Sequence, residues 1–147
     1  MGRSVLEYLE ASRLRNPDKC AVADERENLS YGQLFFRSRG VGTALAAKIA
    51  PGEPVGVYLE KGVPSITAFF GAVYAGGFYS VLNPELPDAR LSQIAGVLEP
   101  RVIVTDAAGL DRAARIFPGF DLVTVEELSC AEADDRVLEA RRRAAVD

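Results

Sequence analysis

Val55-Gly56-Val57-Tyr58-Leu59, the segment from Pro64 to Tyr74, and Gly76-Gly77-Phe78-Tyr79-Ser80-Val81-Leu82 together decide the fold. The first five residues are a short apolar run, the pattern of a strand buried on both faces. Pro64 suits a first helical position, and Ile66, Phe69, Phe70, Val73 and Tyr74 make the apolar side of a helix. Gly76-Gly77 stops that helix, because glycine takes a left-handed conformation without steric cost. A second apolar run, Phe78 to Leu82, closes at Asn83-Pro84. Strand, helix and strand in that order predict a crossover between parallel strands.

Toward the carboxyl end the scheme continues. A helix is predicted from Pro87 to Leu98, with Leu91, Ile94, Val97 and Leu98 inward, followed by the strand Val102-Ile103-Val104. Asp106 is placed to cap a weaker helix reaching about Ile116, and Leu122-Val123-Thr124-Val125 reads as a fourth strand. Residues 54–125 therefore predict a doubly wound α/β unit, a parallel sheet with flanking helices on both faces. Residues 126–147 read as a charged helical tail with no closing cap, so the expected division is 1–125 and 126–147. Within the tail, Arg141-Arg142-Arg143 beside Glu139 and Asp147 is expected to be a solvated helix face.

Toward the amino end, Ser4 to Arg15 reads as a helix with a Val5, Leu6 and Leu9 stripe, stopped by Asn16-Pro17. Cys20-Ala21-Val22-Ala23 and Leu29-Ser30 flank a charged turn, Asp24 to Asn28, and predict a small hairpin. The sharpest local signal follows. Ser30 and Gln33 have capping-box spacing, and Leu29 and Leu34 stand where the two ends of a hydrophobic staple belong. Leu34, Val41, Leu45 and Ile49 then recur at helical spacing up to Pro51-Gly52. Gly40 and Gly42 each weaken that helix by about 1 kcal/mol relative to alanine, which points to another element approaching closely there.

Composition excludes several kinds of chemistry. The chain has 147 residues, of which 48% are hydrophobic and 26% charged, as expected of one globular domain. A net charge of −4 argues against a nucleic-acid partner, and no apolar run is long enough for a membrane span. The start, Met1 to Glu7, lacks the apolar core of a secretory signal, and Leu6 breaks the myristoylation pattern that Met1-Gly2 opens. Cys20 and Cys130 are isolated, which fits a reduced, cytoplasmic setting. With no histidine present, Ser-His-Asp, Cys-His and HExxH sites are all excluded.

The search for phosphate-binding loops also fails. No GxxxxGK[ST] exists, and Gly40-Val41-Gly42 lies within a helix with Leu45 where a dinucleotide fingerprint needs glycine or alanine. Ligands of open α/β sheets gather at the carboxyl ends of strands, where Glu60, Asn83, Asp106 and Glu126 are expected. None has a base, a metal-ligand cluster or a second carboxylate at diagnostic spacing, and Asp106 is accounted for as a cap. From the residues alone, catalytic, cofactor-binding and metal-binding positions are all read as none.

Two stretches carry a family resemblance. Leu29-Ser30-Tyr31-Gly32-Gln33-Leu34 resembles the Leu-Thr/Ser-Tyr-x-Glu-Leu box of AMP-forming adenylating enzymes, the acyl-adenylate synthetase superfamily. Val73-Tyr74-Ala75-Gly76-Gly77-Phe78-Tyr79-Ser80-Val81-Leu82-Asn83-Pro84 resembles their Lys-Ala-Gly-Gly-Ala-Tyr-x-Pro-Leu-Asp-Pro box. Their order and spacing make the match specific from about residue 4 to 105, and the wording looks closest to amino-acid adenylation domains and D-alanine–carrier protein ligases. Asn83, Ser80 and Val63 depart from the family's usual Asp, Pro and capping Ser.

The resemblance implies the amino-terminal fragment of an ATP-dependent ligase. The parent would activate a carboxylate, read here as an amino acid, as acyl-AMP and pass it to a carrier-protein or CoA thiol. It also implies ATP and Mg for that full-length parent. The family's phosphate loop, adenosine contacts and catalytic lysine come after this region, so no site residue is carried over and the fragment is expected to be inactive. Its partner would be the remainder of the adenylation domain, with self-association through an apolar face otherwise covered. The alternative is a non-catalytic interaction module or one half of a split synthetase.

Overall fold

The computed structural model describes residues 5–146. Ser4, the expected helix start, lies outside the described residues together with Met1–Arg3, read above for processing signals, and Asp147. The amino-terminal helix is α1 (Val5–Arg15), followed by the hairpin β1 (Cys20–Ala23) and β2 (Asn28–Ser30), and by the long helix α2 (Tyr31–Ala46). The sheet and its crossovers are β3 (Pro54–Val57), α3 (Val63–Tyr74), β4 (Phe78–Val81), α4 (Asp88–Leu98), β5 (Val102–Thr105), α5 (Leu110–Ile116) and β6 (Leu122–Thr124). Two helices close the order, α6 (Val125–Leu128) and α7 (Asp135–Val146).

The four sheet strands are parallel in the order β4-β3-β5-β6, with Val55 opposite both Tyr79 and Val102, and Val104 opposite Val123. The fold is thus the α/β parallel sheet with flanking helices that the strand–helix alternation predicts. On one face, Val55, Val57, Val102, Val104 and Val123 pack against Leu45, Ala68 and Ala72 of α2 and α3. On the other, Leu82 and Ile103 pack against Leu91, Ala95, Ala113 and Ile116 of α4 and α5. Burying each of the Val, Leu and Ile side chains contributes about 1.5–3 kcal/mol, which makes the two layers the main source of stability. A third cluster, including Leu6, Leu9, Leu29, Leu34, Tyr74 and Leu138, joins α1 and the hairpin to α3 and α7.

The capping box forms: Ser30 Oγ accepts the N–H of Gln33 at 3.1 Å, and Gln33 Oε1 accepts the N–H of Ser30 at 2.9 Å. Gly76, at φ +82°, ends α3 in the left-handed conformation, and its N–H donates to Val73 O at 3.0 Å. The glycines of α2 serve a close crossing. A Cβ on Gly42 would stand 2.6 Å from Tyr74 Cβ, and one on Gly71 would stand 2.4 Å from Val41 Cγ1.

Several expectations are corrected. In α3 the fully buried face is the small-residue one, Ala68, Gly71 and Ala72, because α2 comes so near; Ile66, Phe69, Phe70 and Val73 are only half-buried. Val97 is 86% exposed, since Leu91 and Ala95 already face the sheet and Val97 lies on the far side of α4. Val5 is exposed while Leu6 and Leu9 are buried. Helix α2 ends at Ala46, and Ile49 is buried by the turn that follows. Val125 opens α6 rather than closing a strand, because Thr124 Oγ1 accepts the N–H of Glu127 at 3.2 Å and turns the chain.

The basic run is corrected too. Arg143 is exposed and pairs with Glu139 at 3.2 Å. Arg141 is half-buried and donates to Ile49 O at 2.7 Å, Ala75 O at 3.0 Å and Ala46 O at 2.8 Å. Arg142 grips the Glu10 carboxylate with two bonds of 3.0 Å. Helix α7 lies against α2 and α3, and this burial turns two of the three arginines inward.

Candidate functional site

Winding reverses between β3 and β5. From β3 the chain steps one way to β4, and then crosses back over β3 to reach β5 and β6. The carboxyl ends of β3 and β5 are therefore the switch point at which such sheets place ligands. An open cleft of about 940 Å³ occurs there, lined among others by Glu60, Lys61, Asp106 and Glu126 from the sheet edge and by Asp24 and Arg37 from the hairpin side. The cleft thus brings together three of the four strand-end residues singled out in the sequence. Asn83 is not among its lining residues; its Oδ1 accepts the N–H of Glu85 at 2.9 Å and shapes the turn after β4.

Three of the cleft carboxylates, Asp24, Asp106 and Glu126, accept main-chain N–H groups. Asp106 Oδ1 accepts the N–H of Gly109 at 2.7 Å, so Asp106 braces the turn ahead of α5 and the helix itself starts at Leu110. Both oxygens of Glu126 accept the N–H of Ala107 at 3.2 Å. Asp24 Oδ1 takes the N–H groups of Arg26 and Glu27 at 2.8 and 2.9 Å, and its Oδ2 takes that of Val63 at 2.8 Å. These bonds, that from Val63 foremost, hold the Asp24 carboxyl below its ordinary value of 3.8. Arg37 is paired with Glu27 at 3.0 Å. Glu60 and Lys61 are exposed.

Asp24 is the cleft residue that the sequence reading missed as a structural anchor. Its signal was the charged turn Asp24 to Asn28, but its contact with Val63 spans 39 positions and no local pattern encodes it.

The first amides of α3, after Lys61-Gly62, would be the natural anion cradle. They are already occupied: the N–H of Gly62 donates to Ser65 Oγ at 3.0 Å, and that of Val63 to Asp24. Among the described residues, no group of three or more His, Cys, Asp and Glu side chains is placed to hold a metal ion. Also among them, no helix is long and apolar enough to cross a membrane. In the cleft, Arg37 and Glu27 form an ion pair, and Asp24, Asp106 and Glu126 brace backbone amides.

A family model described as AMP-binding enzyme matches residues 9–145. The chain belongs to the AMP-binding enzyme family. Within it, bacitracin synthase 1 of Bacillus licheniformis is 29% identical over 147 residues, 99% of this chain but 3% of that protein. Syringomycin synthase SyrB1 of Pseudomonas syringae pv. syringae is 33% identical over 128 residues, 82% of this chain and 20% of that protein. The AMPPNP-bound form of the nonribosomal peptide synthetase FmoA3 superposes with a TM-score of 0.79 at 25% identity, over 87% of this chain and 14% of that one. The chain therefore spans only a small part, 3% and 20%, of the length of these two relatives.

Proposed function

We propose that this chain is the amino-terminal platform of an adenylation domain, in a ligase that uses ATP to activate an amino acid as acyl-AMP for transfer to a carrier-protein or CoA thiol. One observation carries the reading. Two of the three strand-end carboxylates at the switch point, Asp106 and Glu126, are bound to backbone amides, so the chain supplies a braced scaffold while the reacting groups belong to other parts of the domain. In line with that, residues 1–125 are one incomplete subdomain, and 126–147 a segment appended to it. No catalytic, cofactor or metal position is assigned within it. ATP and Mg are assigned to the whole enzyme. Support for an amino-acid substrate comes from the peptide synthetases among its relatives, and D-alanine is one member of that class. The exposed free cysteines, Cys20 and Cys130, support a reducing, cytoplasmic setting.

ATP–pyrophosphate exchange tests this. The 147-residue chain alone is expected to give no exchange with any amino acid, and exchange is expected once the rest of an adenylation domain is joined to it. Exchange catalysed by the chain by itself would overturn the reading.

A further inference from the structure

We draw no further inference here: the strongest candidate, the exposed apolar patch that Phe78, Tyr79 and Val81 form along the edge strand β4, carries nothing because nothing in the structure shows what covers it in a chain that spans only a small part of its relatives' length.

Discussion

The Asp24 carboxylate accepts the main-chain N–H of Val63 at 2.8 Å, joining the hairpin turn to the first turn of α3 across 39 positions. Val63 stands where the family resemblance leads one to expect a capping serine. The missing cap is replaced from outside the helix, by an anion that also closes its own turn through the N–H groups of Arg26 and Glu27. A carboxylate at a helix amino terminus further benefits from the helix dipole. One side chain thereby fixes both the hairpin and the start of the crossover that follows β3.

Asp24→Asn should lower the melting temperature and loosen the hairpin, because the amide has one accepting oxygen where three N–H groups need acceptors. The pH dependence has a defined sign. The Val63, Glu27 and Arg26 N–H groups, in that order, hold the folded carboxyl below 3.8, against a smaller opposing effect of burial. Its stabilisation is therefore complete above the unfolded value and is lost as pH falls through the lower folded one. Melting curves from about pH 6 to about pH 2 should converge for wild type and Asp24→Asn at the acid end. Parallel curves would show that Asp24 has no such role.

Local signals are legible in this sequence, and distant ones are not. The start of α2 can be read from Leu29 to Leu34 because a capping box and staple need only neighbouring residues, and both leucines are buried as that pattern requires. The parallel sheet follows from alternating apolar runs and helices, each at its own period. Thr124 and Glu127 also have capping-box spacing, but Val123-Thr124-Val125 satisfies strand preference equally well, and only the packing of Leu128 settles it. For the cleft, sequence supplies Glu60, Asp106 and Glu126 as strand-end residues. That Asp106 and Glu126 serve backbone amides depends on which loops meet, which is tertiary information. Arg141 shows the same limit, since a run of three arginines on a helix gives no hint that one of them faces inward.

Arg141→Ala should be among the most damaging single changes outside the apolar core. Its guanidinium satisfies Ala46 O at the end of α2, Ile49 O in the turn that follows and Ala75 O at the end of α3, so one side chain ties two helix carboxyl ends to α7. A hydrogen bond to a charged group contributes about 1.5–3 kcal/mol net, and with water replacing part of the three bonds to this half-exposed side chain a total loss of about 2–4 kcal/mol is expected. Arg141→Lys keeps the cation but cannot span all three carbonyls, and should fall between the two. Urea denaturation distinguishes them. Equal midpoints for wild type and Arg141→Ala would refute the clamp.

Gly71→Ala should destabilise the chain even though alanine is the better helix former by about 1 kcal/mol. The new Cβ would lie 2.4 Å from Val41 Cγ1 and 2.9 Å from Val41 Cβ, both on a fully buried residue of α2. Overpacking of this kind costs about 1–3 kcal/mol, as the helices must part and their shared layer over the sheet must shift. Trimming the obstacle supplies the control. In Gly71→Ala/Val41→Ala the loss should be smaller than the sum of the two single changes, and strict additivity would mean that the clash is relieved elsewhere.

The polar bridge between α1, α3 and α7 should give a stability plateau that falls at both ends of the pH scale. Tyr74 Oη–H donates to Glu10 Oε2 at 2.9 Å, while Arg142 donates to both Glu10 oxygens at 3.0 Å. Burial pushes the Glu10 carboxyl up, but the bonds from Arg142 and Tyr74 outweigh it and leave the group below 4.5. Burial first, and then the Glu10 charge, push the Tyr74 hydroxyl above its ordinary value of 10.0. Glu10 therefore stabilises the fold above 4.5 and loses that contribution as pH falls, whereas Tyr74 stabilises it below 10.0 and loses its contribution as pH rises. Glu10→Gln should flatten the acid limb and, because the Glu10 charge also raises the Tyr74 hydroxyl, make the alkaline limb shallower, whereas Tyr74→Phe should flatten the alkaline limb. Because the Glu10–Arg142 pair is about a third exposed, its coupling in a double-mutant cycle should be about 1 kcal/mol. If Glu10→Gln leaves the acid limb unchanged, the loss of stability there comes from other carboxylates, and this bridge does not govern it.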